Sequence, residues 1–276
     1  MERSRRAYPV QRSRDHWLSC LMLFLSAVVI LSGLIWPGNP QKLTVEPIPS
    51  TSPIPLDDLF DDTVEQREIV LPDSVWYALQ LGAFEEQRAA HEMSDLFSRR
   101  GAAGYVWQDD RYRALAAVYP IREDAQSVRT QLKEKHEVDT YLFEIALPAV
   151  RLKLSGMKGQ LDILEAAFLH GNDLVAELQK LCVKLDRQEI SVSEAMDHIA
   201  SLKHQLDEVA LRIQQRFTKP YHPAVEGMLA FMNDFVRFAS AADENSSEVS
   251  FGTKLKNQTF SSLYLLKKVY DTLCNT

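Results

Sequence analysis

Between Trp76 and Leu81 the side chains alternate, with Tyr77, Leu79 and Leu81 on one side and Trp76, Ala78 and Gln80 on the other. A period of two predicts a β-strand with two different faces. Gly82-Ala83 predicts a turn. The following EEQRAAHEMSDLFSRR carries Ala89, Met93, Leu96 and Phe97 at helical spacing, with acids early and Arg99-Arg100 late. That polarity suits a helix dipole, and Gly101 is the expected stop. GYVWQ then predicts a second strand, Asp109-Asp110 a turn, and RYRALAAVY a third strand. Pro120 is compatible with a helix start, so REDAQSVRTQLKEK predicts a second helix with Ala125, Val128 and Leu132 inward. DTYLFEIAL closes the region as a fourth strand.

This stretch repeats itself. Laying RYRALAAVY over WYALQLGAF at a shift of 35 residues puts Tyr112 on Tyr77, Tyr119 on Phe84 and Ala125 on Ala90. Each half reads as β-α-β and leaves an apolar face that it cannot cover alone. Two halves together predict a four-stranded sheet with both helices on one face, a ferredoxin-like βαββαβ unit over 74–150. Parity then places Trp76, Ala78, Gln80, Tyr105, Trp107, Arg111, Arg113 and Leu115 on the helix-free side. Aromatic rings stack on sugar faces, and amide and guanidinium groups bond hydroxyls and carbonyls, so this face suits a glycan. The competing reading is that the carboxy-terminal helices cover it, or that the aromatics stiffen the sheet.

The rest of the chain, 151–276, reads as helices. Leu161, Leu164, Phe168, Gly171, Val175, Leu178, Cys182 and Leu185 recur at spacings of 3 and 4. Ile199, Leu202, Leu206, Val209 and Ile213 form a second stripe, and Val225, Met228, Met232 and Phe235 a third. Phe260, Leu263, Leu266, Tyr270 and Leu273 form a fourth, and four such stripes predict an antiparallel all-α bundle. Pro220 and Pro223 separate the second helix from the third, and ADENSSEVSFGT the third from the fourth.

At the other end, WLSCLMLFLSAVVILSGLIW (17–36) runs twenty residues without a charge, enough to span a bilayer core as a helix. Tryptophans mark both ends. A cleaved signal peptide is the competitor, but its apolar core is shorter and ends at a small-x-small site. The basic tail 1–16, at about +3 by sign counting, predicts a cytoplasmic amino terminus and a carboxy-terminal portion outside the cell membrane. Residues 37–73 are proline-rich and then acidic, which predicts an extended linker. Within it, LDDLFDDTVEQREIV has Leu59 and Phe60 as candidates for a short partner-binding motif, against a plain solvated linker.

Composition changes this picture little. The chain has 276 residues and a net charge of −7, with no basic track for phosphates, so nucleic acid is not an expected partner. Cys20 falls inside the apolar span, and Cys182 lies on a helical stripe, where core packing is favoured over a bridge to Cys274. His198 and His204 lie six apart, Glu194-x-x-x-His198 lacks the second pair a di-metal bundle needs, and no metal spacing appears. Nucleophile-elbow, zinc-protease and phosphate-cradling motifs are missing from the sequence, so neither catalytic residues nor a cofactor are expected.

YALQLGAF with an Ala-rich helix, then YRALAAVY, REDA and a closing strand, resembles the SPOR (sporulation-related repeat) domain of bacterial envelope proteins. The resemblance covers about residues 74–150. It is carried by Gln80, Gly82, Ala83 and Phe84 together with Tyr112, Arg113, Arg122, Glu123, Asp124 and Ala125. It implies a membrane-anchored protein that binds septal peptidoglycan, in particular denuded glycan strands, in cell division or sporulation. It also implies that the ligand lies on the helix-free face, where Gln80 matches the strand-one glutamine of such surfaces. Ala83, Arg111 and Ala117 depart from residues common in the family. The expected glycan-binding set is Gln80, Trp76, Tyr105, Trp107, Arg111 and Arg113, and the bundle is expected to bind a protein partner. The alternative is a non-enzymatic scaffold that binds envelope proteins rather than glycan. A third reading makes the bundle an activator of a wall hydrolase.

Overall fold

The computed structural model describes residues 63–242 and 247–275. The expected span 17–36 lies outside the described residues, as do most of the linker and its Leu59 and Phe60. No helix among the described residues is long and apolar enough to cross a membrane. The protein is mixed α+β, with six helices and two antiparallel sheets among the described residues.

The repeat region folds as β2 (Ser74–Phe84), α1 (Gln87–Ser98), β3 (Tyr105–Gln108), β4 (Tyr112–Tyr119), α2 (Arg122–His136) and β5 (Tyr141–Leu147), preceded by β1 (Val64–Leu71). Its four strands pair antiparallel in the order β3-β4-β2-β5. α1 and α2 cover one side over a small core of Leu79, Ala116 and Ala125, with Tyr77, Leu81, Val128 and Leu132 around it.

The expected turn at Gly82-Ala83 is instead the end of β2, which stays paired with β4 through Phe84. The ladder passes from Leu79↔Ala117 to Gln80↔Leu115 and then to Gly82↔Ala114, so Ala116 and Leu81 are each skipped. These bulges bend the strand without ending it. Ala116 is not left idle, because its carbonyl accepts the Ala103 N–H at 2.7 Å. A Cβ at Gly82 would lie 2.7 Å from the far end of the Phe84 ring, so a larger residue there needs that ring to swing aside.

The expected linker boundary at residue 73 is corrected. Val64–Leu71 is a strand, paired from Val64↔Met157 to Leu71↔Val150 with β6 (Val150–Met157). β6 falls where the helical region was expected to begin. The ladder continues to Thr63, whose carbonyl accepts the Lys158 N–H at 2.9 Å. Across the gap the same register resumes at Ser74↔Leu147. One long ribbon is therefore interrupted where Pro72-Asp73 faces Pro148-Ala149, because proline has no N–H to give to a ladder.

Ile69, Leu71 and Val150 bury the inner face of the ribbon, with Leu152 and Leu154 packed against the same core. Arg67 fastens the ribbon to the first bundle helix, α3 (Lys158–Asp186), by ion pairs to Asp162 and Glu165 and a third to Glu65 on its own strand. Its side chain is 21% exposed, between the solvated and buried limits for ion pairs. Arg67→Met is expected to cost about 1–2 kcal/mol, read from the urea midpoint.

α4 (Val192–Arg216), α5 (Pro223–Ala241) and α6 (Glu248–Cys274) complete an up-down-up-down bundle with α3. The Gln160 amide donates to the Arg216 carbonyl, Gln258 to Asp234, and Tyr270 to Asn172, so adjoining helices run antiparallel. The expected stripes form the core, with Phe168, Leu178, Ile213, Met232, Phe235 and Tyr270 all buried. α4 opens with a capping box in which Ser191 and Glu194 satisfy each other's backbone N–H groups. That is the structural role of Glu194. α5 starts at Pro223, with His222 accepting the Ala224 N–H.

Candidate functional site

The helix-free face of the sheet is closed by α6. Ala78, Leu115 and Ile145 form its floor and join one continuous core with the bundle. Trp76 and Trp107 are 6% and 3% exposed. The Tyr105 ring stacks on Phe260 at 5.5 Å, and Trp107 meets Tyr264 edge-on at 4.8 Å and Phe143 at 6.2 Å. Burial pushes the Tyr105 hydroxyl pKa well above its usual value, with Tyr264 and Asp234 adding to the shift.

Polar contacts reinforce the seam beside these rings. Thr253, Lys256 and Asn257 of α6 donate to the carbonyls of Ser98, Gly101, Ala103 and Gly104, the turn that joins α1 to β3. Gly104 has φ +61, and a Cβ there would meet the Ser98 Cβ at 2.7 Å, so glycine alone lets this turn close. Lys256 also pairs with Asp186 of α3 at 2.7 Å. One helix thus holds sheet, turn and bundle together.

Each expected glycan contact has a definite place. Trp76, Tyr105 and Trp107 are packed into the seam, so their ring faces are not offered to a ligand. Arg113 lies over the Phe143 ring at 4.6 Å and donates to Asp109, Asp110 and Gln80. Burial works against ionisation of Asp109, but hydrogen bonds from Arg113 and from the Arg111 N–H, together with the Arg113 charge, outweigh it jointly and hold its pKa below the ordinary carboxylate value. Gln80 spends its carbonyl on Arg113 at 3.0 Å. Arg111 is exposed at the end of the β3–β4 turn, where its backbone N–H binds Asp109. What stays open is a rim: Arg111, part of Gln80, and Tyr141, which is 60% exposed and stands opposite Gln80 in the ladder.

The residues that define this region and were not singled out in the sequence are Thr253, Lys256, Asn257 and Tyr264, together with the second role of Phe260. A signal for them exists. From Phe251 to Tyr270 apolar residues surround the whole helix instead of one stripe, the pattern of a helix buried on more than one side.

Elsewhere the chemistry is sparse. Cys182 and Cys274 are free thiols. Burial pushes the Cys182 pKa up to about 12, which makes it a core residue and not a nucleophile. Among the described residues no group of His, Cys, Asp or Glu is placed to hold a metal ion. The chain matches no family model, no curated protein and no solved structure.

Proposed function

We propose that this chain is a non-enzymatic scaffold: a SPOR-like unit whose fold is kept while its would-be ligand face serves to dock the chain's own helical bundle. The observation that carries the reading is α6 seated on Tyr105 and Trp107 through Phe260 and Tyr264. Two features support the likeness to the SPOR unit. One is the βαββαβ element order, and the other is the β3-β4-β2-β5 strand order of a ferredoxin-like split arrangement. Opening the sheet face to a glycan requires α6 to leave, and that would also strip Leu255, Leu263, Leu266 and Tyr270 from the bundle core. The hydrophobic cost of such an exposure is large, at roughly 1.5–3 kcal/mol per side chain. Together with the apolar span 17–36 and the basic tail before it, the reading is a membrane-anchored platform whose exposed helices engage envelope proteins.

The test is sedimentation with isolated cell-wall sacculi, untreated or stripped of stem peptides by an amidase, using the full-length chain in detergent. A version without the amino-terminal segment must begin by residue 63, ahead of β1. The expected result is background retention on both walls. Retention that rises on stripped wall and falls in Gln80→Ala with Arg111→Ala would overturn the scaffold reading in favour of glycan binding at the rim. Those two residues are the informative ones because they stand outside the packed rings.

A further inference from the structure

The carbonyl of Thr63 accepts the Lys158 N–H at 2.9 Å, so the chain that arrives from the amino-terminal side enters the fold beside the first turn of α3. α3 starts at Met157 without a side-chain cap and has no acid in its first turn. Its leading N–H groups and the positive end of its dipole are therefore not met by a carboxylate of that turn. Cations gather at the same tip. Lys158 belongs to it, and the Gln160 amide donates to the Arg216 carbonyl at 2.9 Å, which brings the end of α4, with Arg216 and then Lys219, alongside. The first acids along α3 after that turn, Asp162 and Glu165, pair with Arg67, as does Glu65. Next to the helix start, Val64 and Met157 face each other in the end rung of the ribbon and are 72% and 42% exposed.

The sequence just before Thr63 is the chemical complement of this tip. LDDLFDD (56–62) carries four carboxylates and three large apolar side chains. A chain spans at most about 3.3–3.6 Å per residue, so Asp61 and Asp62 are tethered one and two residues from Thr63, and Phe60 within about 10 Å of it. We propose that LDDLFDD docks on the tip of its own chain. Asp61 and Asp62 meet the open first turn of α3 and the Lys158 charge, and Phe60 covers the Val64–Met157 pair. The stretch that the sequence offered as a partner-binding motif then has its partner in the same molecule. Docking leaves 37–55, not 37–62, as the free connection to the apolar span. The inference stands apart from the scaffold reading, since it involves neither the sheet face nor α6.

The test is chymotrypsin cleavage after Phe60 in the full-length chain in zwitterionic detergent, timed by mass spectrometry against a synthetic peptide of residues 52–68. Cleavage is expected to be slower in the chain than in the peptide. Lys158→Gln combined with Arg216→Gln is expected to speed it by about two- to fivefold, the factor that a charge at a helix amino terminus supplies. Met157→Asp, which gives α3 a carboxylate cap of its own, is expected to release the segment too, with tryptophan emission unchanged. Both variants leave residues 56–62 untouched, so the intrinsic rate of cleavage is the same throughout. A rate in the unmodified chain equal to that of the peptide, or one that neither variant moves, would overturn the proposal. Protection that appears only with anionic lipid in the micelles would assign the tip to the membrane. Protection that grows with protein concentration would assign it to a second copy of the chain, and either result overturns docking in cis.

Discussion

Trp107→Ala is expected to lower the unfolding free energy by about 3–5 kcal/mol, the range for truncating a large aromatic in a packed core. The ring is wedged between Phe143 and Tyr264, with Leu115 in the same core, and it is 3% exposed. Removing it leaves a hole at the seam that neither the sheet nor α6 can close without shifting the other. The matched control is Arg111→Ala, an exposed change expected to stay within about 0.5 kcal/mol. A ligand-binding tryptophan on an open face gives the opposite pattern, with little loss of stability and a large loss of binding. Urea unfolding followed by far-UV circular dichroism separates the two. A Trp107→Ala midpoint close to that of the unmodified chain would mean that α6 does not sit on the sheet.

Ending the chain at Ala242 should do more than remove one helix. α6 gives Leu255, Leu263, Leu266 and Tyr270 to the bundle, and Phe260 and Tyr264 to the sheet. Without it the inner stripes of α3 and α5 and the rings of Tyr105 and Trp107 all face water. The expected outcome is loss of cooperative folding in the sheet unit as well as the bundle. It would be seen as a red shift of tryptophan emission and the absence of a sigmoidal thermal transition. A truncated chain that keeps native-like emission and unfolds in one step would show that the βαββαβ unit stands alone.

Much of the fold was legible in the sequence because its elements obey strong periods. Tyr77, Leu79 and Leu81 alternate, and the four bundle stripes recur at 3 and 4, so strands and helices announced themselves locally. The ribbon did not. VEQREIVL and VRLKLSGM each bury only a few residues, and their pairing spans some eighty positions, so neither strand is recognisable until it meets the other. The two bulges in the β2–β4 ladder were likewise invisible, since glycine and alanine after Gln80 suit a turn as well as a bent strand.

At the candidate site, parity grouped Trp76, Ala78, Trp107 and Leu115 correctly as one face. It could not tell which body covers that face, because coverage is decided by α6, more than a hundred residues away in the chain. Arg113 illustrates the same limit. Its residue type suited a ligand, while its actual partners Asp109 and Asp110 sit in the turn just before it.

The uninterrupted register of the ribbon has a mechanical consequence. Thr63 and Lys158 stand at the same tip, so a pull on the chain upstream of Thr63 separates two strands that begin side by side. Tension there opens the ladder one rung at a time from Val64↔Met157, instead of loading all rungs together in shear. After the first three rungs the Arg67 ion pairs to α3 resist, and the rungs beyond them follow as far as Leu71↔Val150. The gap at Pro72 and Pro148 then acts as a stop line. Force can peel eight residues of slack from the ribbon before any of it reaches the four-stranded sheet or the rings packed beneath α6.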